Sequence, residues 1–234
     1  MLFSLDAVAD FINANFEPAW EAVRPVPVVR IDFGNGTVLT RTLHGNILTS
    51  VCAPDGNLLD ALPGIYTEAA YLDRLDQFRL LARYVGSQPA DQRAAKLRDY
   101  HLRQAEALGK NEPQERFVLK KRIAPMTKAA IERPVEVVLQ AAAAPPAAKE
   151  EAKAPAAAEE VGRWKELAED TALNESTRRL QIHQMLAEAG LVKPEAVTRP
   201  IYKEVLHADL DDPYLGLGKV LFDSYPFARE DGGR

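Results

Sequence analysis

The sequence predicts a mixed α/β protein: a domain of short strands with flanking helices, then a Pro/Ala-rich linker, then a small helical segment. Three observations carry this reading. β-branched runs bounded by turn residues fill positions 28–62, apolar residues at helical spacing flank them, and an Ala/Pro stretch divides the chain at 141–158. At 234 residues, 47% hydrophobic and 27% charged, the chain has the balance of a globular protein with room for one ordinary domain or two small ones.

In chain order, Ser4 stands as an N-cap, and Val8, Phe11, Ile12 and Phe16 recur at helical spacing over 4–16. Pro25 and Pro27 then break the chain. Strands are predicted over 28–33, 37–43, 47–52 and 58–62, separated by Gly34-Asn35-Gly36, His44-Gly45-Asn46 and Pro54-Asp55-Gly56. The last turn marks a hairpin between the third and fourth strands. Thr67 caps a helix to about 84, with Tyr71, Leu72, Leu75, Phe78 and Leu81 on one stripe. Ser87-Gln88-Pro89 restarts a helix that stops at Gly109. Strand-like runs over 117–119 and 135–139 enclose a short helix near 126–131. Phe11, Ile12, Phe16, Val29, Ile31, Val51, Leu59, Leu72 and Leu75 are the expected core.

The division into 1–140, a linker at 141–158 and a segment at 159–234 rests on composition. Eleven of the eighteen linker residues are Ala and three are Pro, which favours a semi-extended spacer over a buried Ala helix. Beyond it, helices are predicted over 161–172, 176–189 and 201–206, with Thr198 capping the third. Asp212-Pro213 reads as the cap and first turn of another through Leu215 and Leu217. A segment of this size is marginal alone, so docking onto the first domain is expected at least as much as independent folding.

Composition also bounds function. With 29 basic and 34 acidic side chains, the chain lacks a nucleic-acid footprint. The single Cys excludes an internal disulfide framework and a Cys-rich metal site. No run is apolar enough for membrane insertion, and Asp6 stands where a signal peptide would carry a base, so a cytoplasmic location is expected. Phosphate loops, nucleophile elbows and paired-His zinc motifs are absent, so no cofactor is expected and the balance tilts away from an enzyme.

The chemistry-bearing candidates each carry a plainer reading. Cys52, the candidate redox thiol, ends an apolar strand beside Val51 and Ala53 and reads first as a small buried hydrophobe. His44, with Asn46, lies in a turn and is the candidate ligand contact of the first domain. His207, Asp209 and Asp211 form the densest polar cluster, a weak metal or hydrolase candidate beside a capping role. His101 and His183 sit in helices and read as packing or surface residues. Lys120-Lys121-Arg122 reads as a solvated face. The tail places Tyr214, Leu217, Leu221, Phe222, Tyr225 and Phe227 within fourteen positions, an apolar density that points to an interface, either intramolecular or with a partner or second copy.

The run Val8-Ala9-Asp10-Phe11-Ile12-Asn13-Ala14-Asn15-Phe16 resembles a helix of the thioredoxin-like superfamily. Residues 45–56, 58–64 and 71–75 follow its later strand, turn, last strand and closing helix, so the resemblance covers about 3–82. It implies a thioredoxin-like mixed sheet of three to four strands, with helix 4–16 on one face and helix 67–84 on the other. The chain has no Cys-x-x-Cys, and Asn46-Ile47 occupy the usual cis-proline position. The implied member is therefore redox-inactive, similar to UAS-type adaptor domains. Its expected role is a non-catalytic binding or scaffold protein with a protein partner or self-association. The alternatives are thiol exchange by Cys52 with a partner thiol, and a metal-assisted hydrolase on His207, Asp209 and Asp211.

Overall fold

The structure is a computed structural model that describes residues 2–42, 47–121, 135–141 and 158–217. It is mixed α/β, and it divides into two interleaved compact units. Unit 1 comprises 1–18 and 48–194, and unit 2 comprises 19–47 and 195–234. The composition-based boundaries at 140 and 159 do not coincide with that division.

Unit 1 opens with a short 3-10 turn, Leu2–Ser4, and helix α1, Asp6–Asn15. Leu5 occupies the cap position, so Ser4 does not cap as expected. In unit 2, strand β1, Val28–Asp32, pairs antiparallel with β2, Val38–Thr42, across the Gly34-Asn35-Gly36 turn. There Asp32 and Asn35 side chains accept the backbone N–H groups of Gly34 and Thr37 at 2.9 Å each. In unit 1, β3, Leu48–Cys52, pairs antiparallel with β4, Leu58–Pro63, which is the hairpin read around Pro54-Asp55-Gly56. Gly56 takes φ +78 in that turn, a conformation that costs glycine little.

Helix α2, Glu68–Gly86, and helix α3, Arg93–Gly109, follow. Strand β5, Glu115–Lys121, pairs antiparallel with β6, Val135–Ala141. The described strands thus form three separate two-stranded sheets, where the resemblance implied one mixed sheet. Each strand pairs with the strand adjacent to it in sequence. Nor do the first two long helices flank opposite faces: Val8 of α1 shares one core with Val51, Leu62, Tyr66, Tyr71, Leu75 and Phe78. Phe11, Ile12, Phe16 and Leu72 pack half-buried against it, while Ile31 of unit 2 is exposed. A second core joins Leu59, Leu80, Leu81, Val85, Leu97, Tyr100, Phe117 and Val137.

Residues 142–157 of the expected linker and the short helix near 126–131 lie outside the described residues. Helix α4, Ala158–Leu173, runs on through a π-helical turn, Asn174–Arg178, into α5, Arg179–Ala189. The two helices expected over 161–172 and 176–189 are therefore one interrupted rod. This helical stretch is integral to unit 1. Thr171 donates to the Leu167 carbonyl at 2.7 Å and accepts the Thr67 N–H at 2.9 Å, and the Leu58 N–H donates to the Val192 carbonyl at 2.8 Å.

Helix α6, Pro194–Pro200, starts earlier than the expected third helix, with proline in its first position and a π turn, Ile201–Val205, after Pro200. Proline has no N–H to donate to the preceding turn, so the backbone must re-pair there. Among the described residues no helix follows Pro213. Leu215 takes φ +57, and the Asp212 carboxylate accepts the Tyr214 N–H at 2.6 Å, which makes turns instead. Arg24 holds these turns within unit 2 by donating to the carbonyls of Leu210, Asp212 and Pro213.

Candidate functional site

Strand β4 is buried along its whole length, and its sequence, Leu-Leu-Asp-Ala-Leu-Pro, puts one carboxylate into that dry setting. Burial of an unpaired charge costs several kcal/mol, so Asp60 requires a partner. Arg179, the first residue of α5, supplies it with both arms. Nη1 lies 2.5 Å from Oδ1 and Nη2 lies 2.9 Å from Oδ2, with both side chains at 0% exposure. The Ala61 N–H donates to Oδ1 at 2.8 Å and the Tyr100 hydroxyl to Oδ2 at 3.0 Å, while Arg179 Nη1 also donates to the Ala61 carbonyl. The guanidinium carbon stands 5.5 Å from the centroid of the Phe78 ring.

Two histidines complete the cluster. His101 of α3 and His183 of α5 meet Nδ1 to Nδ1 at 2.9 Å, with ring centroids 5.2 Å apart. Tyr100 packs against both rings and against Phe117. Gln77 of α2 fixes the adjoining hairpin by accepting the Phe117 N–H at 2.8 Å, and Gln104 of α3 donates to the Glu115 carbonyl at 2.8 Å.

The π turn fits the far end of β4. Asn174 donates to the Ile65 carbonyl at 2.8 Å and accepts Arg178 at 2.6 Å. Gly64, at φ +74, lies so close that an added Cβ would stand 2.9 Å from the Asn174 amide nitrogen. Arg74 of α2 pairs with Glu175 on the same turn.

Electrostatics follow from this arrangement. Burial pushes the Asp60 carboxyl up, but Arg179, the neighbouring histidines and the hydrogen bonds outweigh it and hold the group well below the usual carboxylate range. Burial drives the Tyr100 and Tyr66 hydroxyls upward, so both stay protonated. Burial lowers His101 to about 4, and burial with the Arg179 charge lowers His183 well below its ordinary value. At neutral pH the cluster holds one carboxylate, one guanidinium and two neutral imidazoles.

Asp60, His101 and His183 are close enough for their donor atoms to share a cation. The set does not fit one. Both Asp60 oxygens are engaged by Arg179, whose charge repels a metal. The two Nδ1 atoms lie 2.9 Å apart and already engage each other at hydrogen-bond distance.

The sequence-based candidates lie elsewhere. Cys52 is exposed, contrary to its buried reading, because its neighbour Val51 faces the core and strand residues alternate. His44 and Asn46 lie outside the described residues. His207 is exposed at φ +53; Asp209 pairs with Lys203 at 2.7 Å and accepts the Asp211 N–H at 3.0 Å, while Asp211 pairs with Arg199. Of the tail, Tyr214 is exposed and Leu217 half-buried, while Leu221, Phe222, Tyr225 and Phe227 lie outside the described residues. Asp60, Arg179 and Tyr100 escaped sequence reasoning. Their signals were a lone acid inside an apolar strand and an Arg four residues before a His on a helix face lined by Ile182 and Leu186.

No family model, curated protein or solved structure matches the chain. Among the described residues no helix is long and apolar enough to cross a membrane.

Proposed function

We propose that the chain is a cytoplasmic, non-catalytic binding or scaffold protein, related through residues 3–82 to redox-inactive thioredoxin-like adaptors, that engages a protein partner through unit 2. The observation that carries this reading is the apolar ribbon of that unit. Trp20 is 89% exposed, and Val28, Ile31, Phe33 and Val38 are exposed on and beside the β1–β2 hairpin. A two-stranded ribbon is marginal in water, and strand edges with open apolar side chains invite an added strand or a covering surface. The cluster on β4 supports the same reading, since its reactive groups are buried and engaged with one another.

The test is affinity capture from native cells with the wild-type chain and with Ile31→Ser/Phe33→Ser. A protein retained by the wild type and lost by the variant, at unchanged thermal stability, is the expected result. Equal recovery by both sinks the reading. The exposure of Cys52 favours a second reading, thiol exchange with a partner thiol. It requires Cys52 to react with a disulfide reagent at pH 7 faster than a model thiol, which a stopped-flow titration measures.

A further inference from the structure

His101 and His183 are 1% and 0% exposed, and their contact joins α3 to α5 inside unit 1. Hydrogen-bond accounting assigns their protons. His183 Nε2 is buried with no partner among the described residues, and a buried unpaired N–H costs more than a bare nitrogen. The His183 proton is therefore assigned to Nδ1, which lies 2.9 Å from His101 Nδ1. His101 Nδ1 is then an acceptor, and His183 Nδ1–H donates to it. This leaves His183 Nε2 bare. The contact holds only while both rings are neutral. A proton on His101 Nδ1 would set N–H against N–H. One on His183 Nε2 would place a cation with no acceptor near the Arg179 guanidinium.

The charged and titratable groups that face the pair are Asp60 on β4, Tyr100 on α3, Arg179 on α5 and Arg74 on α2. Asp60 is the anion among them, and Arg179 already engages both of its oxygens. An added proton therefore finds little compensation.

We propose that the His101–His183 contact is an acid-sensitive latch, which holds α5 against α3 and β4 near neutral pH and releases it when either ring takes up a proton. Burial keeps His101 at about 4 and His183 well below 6.5 while the latch is closed, and in the opened chain both regain ordinary values near 6.5. The open state thus binds more protons below about 6.5. The hold is fully present above that pH and is lost as pH falls toward 4.

The experiment follows amide hydrogen exchange of the full chain from pH 7.5 to 5, corrected for intrinsic rates. Amides of 182–187 in α5 should lose protection faster than those of 75–81 in α2. The opening constant should steepen toward about 100-fold per pH unit as both rings gain protons. In His101→Asn/His183→Asn, whose amides can keep a non-titrating contact, that steepening should vanish. Equal loss of protection in α5 and α2, or a variant with the wild-type pH slope, would overturn the proposal. If the variant does not fold, ring NMR of the wild-type histidines decides. Two rings that stay neutral in the closed protein down to the opening pH support the latch, and four that titrate near 6.5 overturn it.

Discussion

Asp60 places a charge where the chain has least water, and Arg179 answers it from 119 positions away. Such a pair adds little over a well-packed apolar pair, but removing one partner strands the other. Asp60→Ala should therefore destabilise the protein by about 3–5 kcal/mol in urea unfolding at pH 7, with Asp60→Asn costing less because it keeps an acceptor. A loss below about 1 kcal/mol for the alanine variant would mean that the ion pair does not hold α5 to β4. Gly64 is constrained in a different way. Its φ of +74 and the nearby Asn174 amide both oppose a side chain. Gly64→Ala should cost about 1 kcal/mol or more, and adding Asn174→Ala should relieve the clash but leave the backbone strain. Thermal melts of the single and double variants separate the two parts.

The α4–α5 rod must satisfy two docking points: Asn174 against Ile65 and Gly64, and Arg179 against Asp60. The π turn Asn174–Arg178 carries one residue more than a regular helix would, and that residue sets the angle between them. Deleting the exposed Ser176 should restore regular pairing, rotate one docking point by about 100° and break it. The expected outcome is a lower melting temperature than Ser176→Ala gives; equal melting of the two variants would show that the turn is not needed for register. This is also where sequence reading stopped. Turn residues and alternation make β1–β2 and β3–β4 legible, because those signals are local, whereas the β5–β6 segment carries no such turn signal and is the least readable part of the chain. The single rod was read as two helices, since a π turn breaks the 3.6-residue period without a Gly or Pro to mark it. The Asp60–Arg179–Tyr100 cluster stayed hidden because its signals, a lone acid in an apolar strand and an Arg before a His on a helix, lie far apart in sequence, and only the fold brings them together.

The whole molecule separates sealed from open chemistry. Unit 1 encloses the Asp60–Arg179 pair and two imidazoles, whereas the ribbon of unit 2 leaves large apolar side chains in water. The two tryptophans report on this contrast directly. Trp20 is 89% exposed in unit 2 and Trp164 is 55% exposed on α4 of unit 1, so neither is dry. Dilute protein at pH 7 should emit at the long wavelength of solvated indole and be strongly quenched by acrylamide, with little further red shift on unfolding. If the ribbon covers itself with a second copy, raising the concentration should shift emission to the blue and protect Trp20. Trp164→Phe isolates that signal, and sedimentation velocity reads the accompanying mass. A blue shift with a doubled mass assigns the apolar ribbon to self-association. Unchanged emission and mass from low to high micromolar concentration leaves a different protein as its occupant. Emission already blue in the dilute monomer would overturn the premise, because Trp20 would then be buried within the chain and the ribbon would need no partner.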